Sequence, residues 1–125
     1  MRKIGFIGVG IMGRSMVRNL MKAGYEVHIY ARTKAKVEDV ISEGAVFHDS
    51  IAECVKDRDA VITIVGFPQD VEEVYFDSGN ILDSASPGTY LIDMTTTSPM
   101  LAEKIFEEGT KRGFHVLDAP VTGGD

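Results

Sequence analysis

Residues 1–16 read MRKIGFIGVGIMGRSM, an apolar run, a cluster of glycines and the opening of a helical pattern. Lys3 to Val9 is an apolar run of strand length. From Ile11 onward, Met12, Met16 and Leu20 recur at the spacing of one helix face, with Val17 and Met21 beside them. Between strand and helix stand Gly8, Gly10 and Gly13, where bulkier apolar residues would pack better. Glycine there gives up contact area and costs backbone entropy, so something requires the missing side chains. The spacing is Gly-x-Gly-x-x-Gly, directly after an apolar strand and at the opening of a helix. In that setting Gly8 permits a tight turn, Gly10 lets a pyrophosphate approach the backbone, and Gly13 lets helix and strand pack closely. The N–H groups that open the helix, at Ile11 and Met12, then face the anion together with the helix dipole.

The rest of the chain repeats the alternation. Further strand patterns are EVHIY, AVF, AVITIV, TYLID and FHVLDA. Most are near-continuous apolar runs, as expected of parallel strands buried on both faces. Helical patterns lie between them. Gly24 ends the first helix as a left-handed cap, and Thr33 is an N-cap for a second helix that stops at Gly44. Ser50 and Glu53 have capping-box spacing for a short third, and a fourth follows Pro68 with Val71, Val74 and Tyr75 on one face. Ser98-Pro99 opens the helix that runs to about Arg112. Asp77 to Gly88 reads as the longest irregular connection, and Arg14, Arg18 and Lys22 as a solvated helix face. The expectation is an α/β doubly wound parallel sheet, a six-stranded Rossmann fold in the order 3-2-1-4-5-6, forming one domain over residues 1–125. No repeat, low-complexity tract or linker interrupts it.

The end of the second strand discriminates between two dinucleotides. An NAD site usually has Asp or Glu there for the ribose hydroxyls, about twenty residues after the glycines. This chain has YARTKAK, residues 30–36, with no acid. Arg32 can grip a 2′-phosphate, Thr33 and the helix start can add donors, and Lys34 and Lys36 add positive charge. The cofactor expected is NADP (NADPH).

Composition narrows the rest. The formal charge is -6, with acids and bases interspersed, which speaks against a nucleic-acid surface or an anionic membrane. The single cysteine, Cys54, falls in an apolar helical stretch and reads as a small buried residue. No metal-ligand spacing, membrane-length apolar run or signal-peptide core is present, so a cytoplasmic protein is expected.

Taken in order, GFIGVGIMG, ARTKAK, GFPQDVEEV, DMTTTSP and DAPVTGGD resemble the β-hydroxyacid dehydrogenase family, over essentially the whole chain. That family includes 3-hydroxyisobutyrate dehydrogenase and the glyoxylate/succinic semialdehyde reductases; 6-phosphogluconate dehydrogenase is a weaker relative. The resemblance implies that Phe67 and Pro68 touch the cofactor and that Thr96 sits near the nicotinamide ribose. It also implies that Thr122, Gly123 and Gly124 line a pocket for a small carboxylate substrate. A glycine pair with a hydroxyl suits that role, since it offers donors without obstruction. The family usually has Ser where Thr122 stands, and commonly Asn where Ala31 stands.

Hydride transfer to a carbonyl also needs a proton donor. His28 lies within the second strand, His48 ends the third, and His115 begins the sixth, so none is placed for it. The catalytic lysine of the family lies on a helix beyond the glycine pair, and the sequence ends at Asp125. The chain is therefore expected to be the cofactor domain of a longer, homo-oligomeric oxidoreductase and to be inactive alone. The N-terminal domain of an imine reductase and a non-catalytic NADP-binding module remain open as alternatives.

Overall fold

The computed structural model describes residues 2–65, 68–94 and 99–118. Six parallel strands form one sheet in the order β3-β2-β1-β4-β5-β6. They are β1 (Lys3–Ile7), β2 (Glu26–Tyr30), β3 (Val46–His48), β4 (Ala60–Thr63), β5 (Tyr90–Asp93) and β6 (His115–Asp118). The helices are α1 (Ile11–Lys22), α2 (Glu38–Ser42), α3 (Ile51–Val55), α4 (Pro68–Phe76), α5 (Ile81–Ser84) and α6 (Pro99–Lys111). This is the expected Rossmann order. Among the described residues, no helix is long and apolar enough to cross a membrane.

Strand alternation divides the core into two layers. Phe6, Val27 and Ile29 point to one face, where Val17 of α1 and Val40 of α2 cover them. Ile7, Val61 and Leu91 point to the other, against Val55 of α3, Tyr75 of α4 and Ile105 of α6. β1 lies between β2 and β4, with Ile7 opposite Tyr30 on one side and Thr63 on the other. Here the strand order reverses, and the chain leaves β1 and β4 for helices on opposite faces.

Gly24 closes α1 as expected, at φ +96. The Gly24 N–H donates to the Met21 carbonyl at 3.1 Å and the Tyr25 N–H to the Leu20 carbonyl at 3.1 Å, a Schellman closure that feeds directly into β2. The same pairing closes α2 at Gly44 and α6 at Gly113. Ser50 caps α3, its hydroxyl accepting from the Glu53 N–H at 3.2 Å.

Four local expectations are corrected. The second helix begins as a 3-10 turn over Lys34–Val37, and the Thr33 side chain makes no capping bond. The Lys36 N–H that such a cap would satisfy already donates to the Thr33 carbonyl at 3.1 Å. The stretch from Asp77 to Gly88 is not wholly irregular, because it contains α5, anchored by the buried Ile81 and Leu82. Four residues are too few to leave a periodic signal. On α1, Met12 is 44% exposed and, among the described side chains, the buried positions are Gly13 and Val17, because the closest approach to the sheet is at the glycine.

The cationic face of α1 is likewise not simply solvated. Arg14 Nε lies 2.9 Å from Asp39 Oδ2, and its guanidinium also bonds the Lys36 carbonyl. Arg18 reaches Asp39 at 3.0 Å and both oxygens of Glu43 at 2.8 Å. The pairing holds the Glu43 and Asp39 carboxyls below their ordinary range, for Glu43 chiefly through the Arg18 hydrogen bonds and for Asp39 through a backbone N–H and the two arginines. These arginines join α1 to the α2 segment.

Candidate functional site: the cleft at the strand-order reversal

A cleft of about 510 Å³ opens at the carboxyl ends of β1 and β4, bordered by Gly8, Gly10, Arg32, Lys36, Val65 and Asp70. Each glycine of the turn answers to a different constraint. Gly8 has φ +101, and a Cβ there would stand 1.9 Å from the Ile64 carbonyl oxygen. A Cβ at Gly13 would stand 2.4 Å from the Gly8 oxygen and 3.2 Å from the Phe6 ring. Both are demanded by the fold itself.

Gly10 is not. Its φ is -91, which any residue adopts, and a Cβ built on it meets nothing within 4 Å. Neither backbone strain nor packing explains glycine here, and the space left open is the cleft. Gly10 is also the N-cap of α1, whose start has no side-chain cap and no acid in its first turn. The N–H groups of Ile11, Met12 and Gly13 lie in the first turn, where the helix geometry supplies no carbonyl partner. An anion with its own oxygens fits that arrangement. The cradle therefore suits a dinucleotide pyrophosphate.

At the other end of the cleft, Arg32 is exposed, and it leans toward α4. Its Nη2 lies 3.2 Å from Glu73 Oε2 and 3.7 Å from Asp70 Oδ1. Lys36 borders the cleft. Lys34 does not join it, its Nζ standing 5.5 Å from the centre of the Phe47 ring. Thr33 is exposed beside Arg32. The structure thus brings Gly8, Gly10 and Arg32 to one cleft. Pro68 begins α4, whereas Phe67, Thr96, Thr122, Gly123 and Gly124 lie outside the described residues.

Sequence reasoning missed a buried polar chain beneath this end of the sheet. Thr63 Oγ1 donates to Asp93 Oδ1 at 3.0 Å and therefore accepts from the Tyr75 hydroxyl at 2.9 Å. All three residues are buried. The chain ties α4 to the carboxyl ends of β4 and β5, which sit side by side with Thr63 opposite Asp93. A signal was available: AVIT and YLID are apolar strands that each end in a polar residue.

The histidines lie elsewhere. His28 Nδ1 is 2.7 Å from His48 Nε2, His28 Nε2 is 2.5 Å from Glu26 Oε2, and Arg58 Nη2 is 3.3 Å from His48 Nε2. Burial pushes both imidazoles below the usual histidine range, and the proximity of Arg58 adds to it. His115 stacks on Tyr90 at the start of β6, 4.7 Å between ring centres. None of the three borders the cleft.

A larger hollow of about 700 Å³ runs along β1, β4 and β5 beside Leu20 of α1, past Tyr25, Ile62 and Tyr90. Its own glycine turn, Ser86–Pro87–Gly88–Thr89, leads into the strand β5 and not into a helix, and no helix start is among the described residues that line it. The strand-order reversal, where a glycine turn opens a helix, is the better candidate.

Residues 3–125 match the family described as the NAD binding domain of 6-phosphogluconate dehydrogenase. The chain belongs to that family. The match spans the glycine turn, the Arg32 corner and every strand, so the chain is an NAD(P)-binding domain. Within the wider set of relatives, the chain is 48% identical to an uncharacterized oxidoreductase, YkwC, of Bacillus subtilis, covering 99% of this chain and 43% of that one. It is 44% identical to a probable 3-hydroxyisobutyrate dehydrogenase-like protein of Arabidopsis thaliana, over 98% of this chain and 37% of the relative. The solved 3-hydroxyisobutyrate dehydrogenase of Mycobacterium tuberculosis, described with L-serine, superposes with a TM-score of 0.90 at 33% identity, over 99% of this chain and 42% of that one. The chain thus spans about two-fifths of the length of these relatives. They are oxidoreductases, and their NAD(P)-binding part is what this chain resembles.

Proposed function

We propose that this chain is the NADP(H)-binding half of an oxidoreductase that moves hydride between the cofactor and a small β-hydroxy acid or its semialdehyde. The observation that carries the reading is Gly10, a glycine that neither the backbone nor the packing requires, opening onto the cleft at the start of α1. When bound, the nicotinamide donates or accepts the hydride. The chain supplies the holding: the Gly8–Gly13 turn for the pyrophosphate and Arg32 with Thr33 for a 2′-phosphate. On the family resemblance, Phe67 and Pro68 are assigned to contact with the cofactor, Thr96 to its nicotinamide ribose, and Thr122, Gly123 and Gly124 to the substrate carboxylate.

Gly10→Val tests the reading. The valine would enter the cleft without touching the fold, at a stability cost of about 1 kcal/mol or less from the poorer N-cap. Circular dichroism should match the parent, while NADPH binding followed by cofactor fluorescence should weaken at least about 100-fold, or about 2.7 kcal/mol. Unchanged binding by a folded variant would mean that the cofactor does not approach this turn.

A further inference from the structure

Arg32 does not stand alone at its end of the cleft. It follows β2, yet its charge is shared with two carboxylates on α4, an element that arrives from the opposite side of the strand-order reversal. Glu73 Oε2 is 3.2 Å from Arg32 Nη2 and Asp70 Oδ1 is 3.7 Å away. Asp70 borders the cleft itself and is the less exposed of the two, at 26% against 51%. Their spacing of three residues puts both on one side of α4, facing the guanidinium.

The geometry points to Glu73, with Asp70 beside it, as the specificity-determining counterweight to Arg32 in choosing between the two dinucleotides. This rests on the reading above that Arg32 receives a 2′-phosphate. A phosphate arriving there must take the guanidinium from two carboxylates and then remain near both as a like charge. A ribose 2′-hydroxyl faces neither cost, because a carboxylate can accept its hydrogen bond. The acid that NAD sites usually carry at the end of β2 is missing from YARTKAK, and acids of the same chemistry reach the corner from α4 instead. The corner therefore holds opposing determinants: Arg32 favours the phosphorylated dinucleotide, and Glu73 and Asp70 restrain that preference.

Glu73→Gln removes one charge from an exposed helix position and keeps both side-chain length and helix propensity. The backbone carbonyl of Glu73, which accepts from Asn80, is untouched. For an exposed pair the expected gain in NADPH affinity is about 2- to 5-fold. NADH affinity should stay unchanged or fall. Asp70→Asn combined with Glu73→Gln should widen the NADPH/NADH ratio further, and added salt should shrink the effect.

The deciding experiment titrates NADPH and NADH against the parent chain, Glu73→Gln, Arg32→Ala and the Arg32→Ala/Glu73→Gln pair, at low and high salt. Support consists of a selective NADPH loss in Arg32→Ala and a selective NADPH gain in Glu73→Gln that shrinks once Arg32 is absent. Should Arg32→Ala weaken both dinucleotides equally, the 2′-phosphate reading fails and this inference with it. Should Arg32→Ala be selective while Glu73→Gln leaves the NADPH/NADH ratio unmoved, the reading stands and the counterweight is overturned. A Glu73→Gln gain of full size in the Arg32→Ala background would also overturn it, since Glu73 would then act without Arg32.

Discussion

The turn after β1 and the β2–β3 edge are polar regions of the same sheet, built in opposite ways. At the turn, polarity comes from backbone N–H groups laid bare by absent side chains, and Gly10 leaves open space. At the edge, polarity comes from side chains that consume one another. Glu26, His28, His48 and Arg58 form one chain of contacts, and Arg58 Nε also donates to the Cys54 carbonyl at 2.8 Å. A region whose polar groups are satisfied internally has nothing left to offer a ligand. The contrast separates a binding surface from a structural one even though histidine and arginine crowd the second.

The strongest way to break this contrast is at Gly8, which shares a motif with Gly10 but not its reason. Gly8→Ala would force a side chain into the Ile64 carbonyl at a positive φ. Strain of about 1–3 kcal/mol adds to overpacking of about 1–3 kcal/mol. Urea unfolding should show a loss of several kcal/mol, or no folded protein at all. A Gly8→Ala variant as stable as the parent would place both glycines in the same class.

A smaller effect comes from the edge. Both imidazoles lie below the usual histidine value of 6.5 when folded, chiefly through burial. The unfolded chain then binds more protons than the native one as pH falls through that value, so stability falls with it. The loss levels off once the native imidazoles protonate in turn. Glu26, held low by its hydrogen bond to His28, adds a loss of the same sign below the ordinary carboxyl value of 4.5. Unfolding measured from pH 7.5 to 5 should show this slope, below one proton per histidine, and His28→Leu should flatten it. A parent chain with a flat profile would show that the native fold does not hold the pair's protonation below the ordinary histidine range.

The smallest signal is at Cys54. It is fully buried under β1 and β2, with its thiol pushed up to about 12 by burial. A thiol reagent at pH 8 should leave the native chain unlabelled and react with one equivalent in urea. Rapid native labelling would show that the α3 side opens far more readily than this packing allows.

The Gly-x-Gly-x-x-Gly turn, the alternation of apolar runs and the glycine caps were legible because each is a local requirement, met by neighbours in the chain. The Rossmann order followed from them, and so did the placing of Gly8, Gly10 and Arg32 at one corner. The Thr63–Tyr75–Asp93 chain was not legible, since its partners are twelve and thirty residues apart and meet only when β4, β5 and α4 assemble. Tertiary structure also decided what the arginines do. Arg14 and Arg18 read from sequence as a solvated helix face, and Arg32 as a grip for a phosphate. The first two are held against Asp39 and Glu43, while Arg32 faces Asp70 and Glu73 across an open cleft. A charge is structural or available according to the acids that the fold brings to it, and that distance is written in no single segment of the chain.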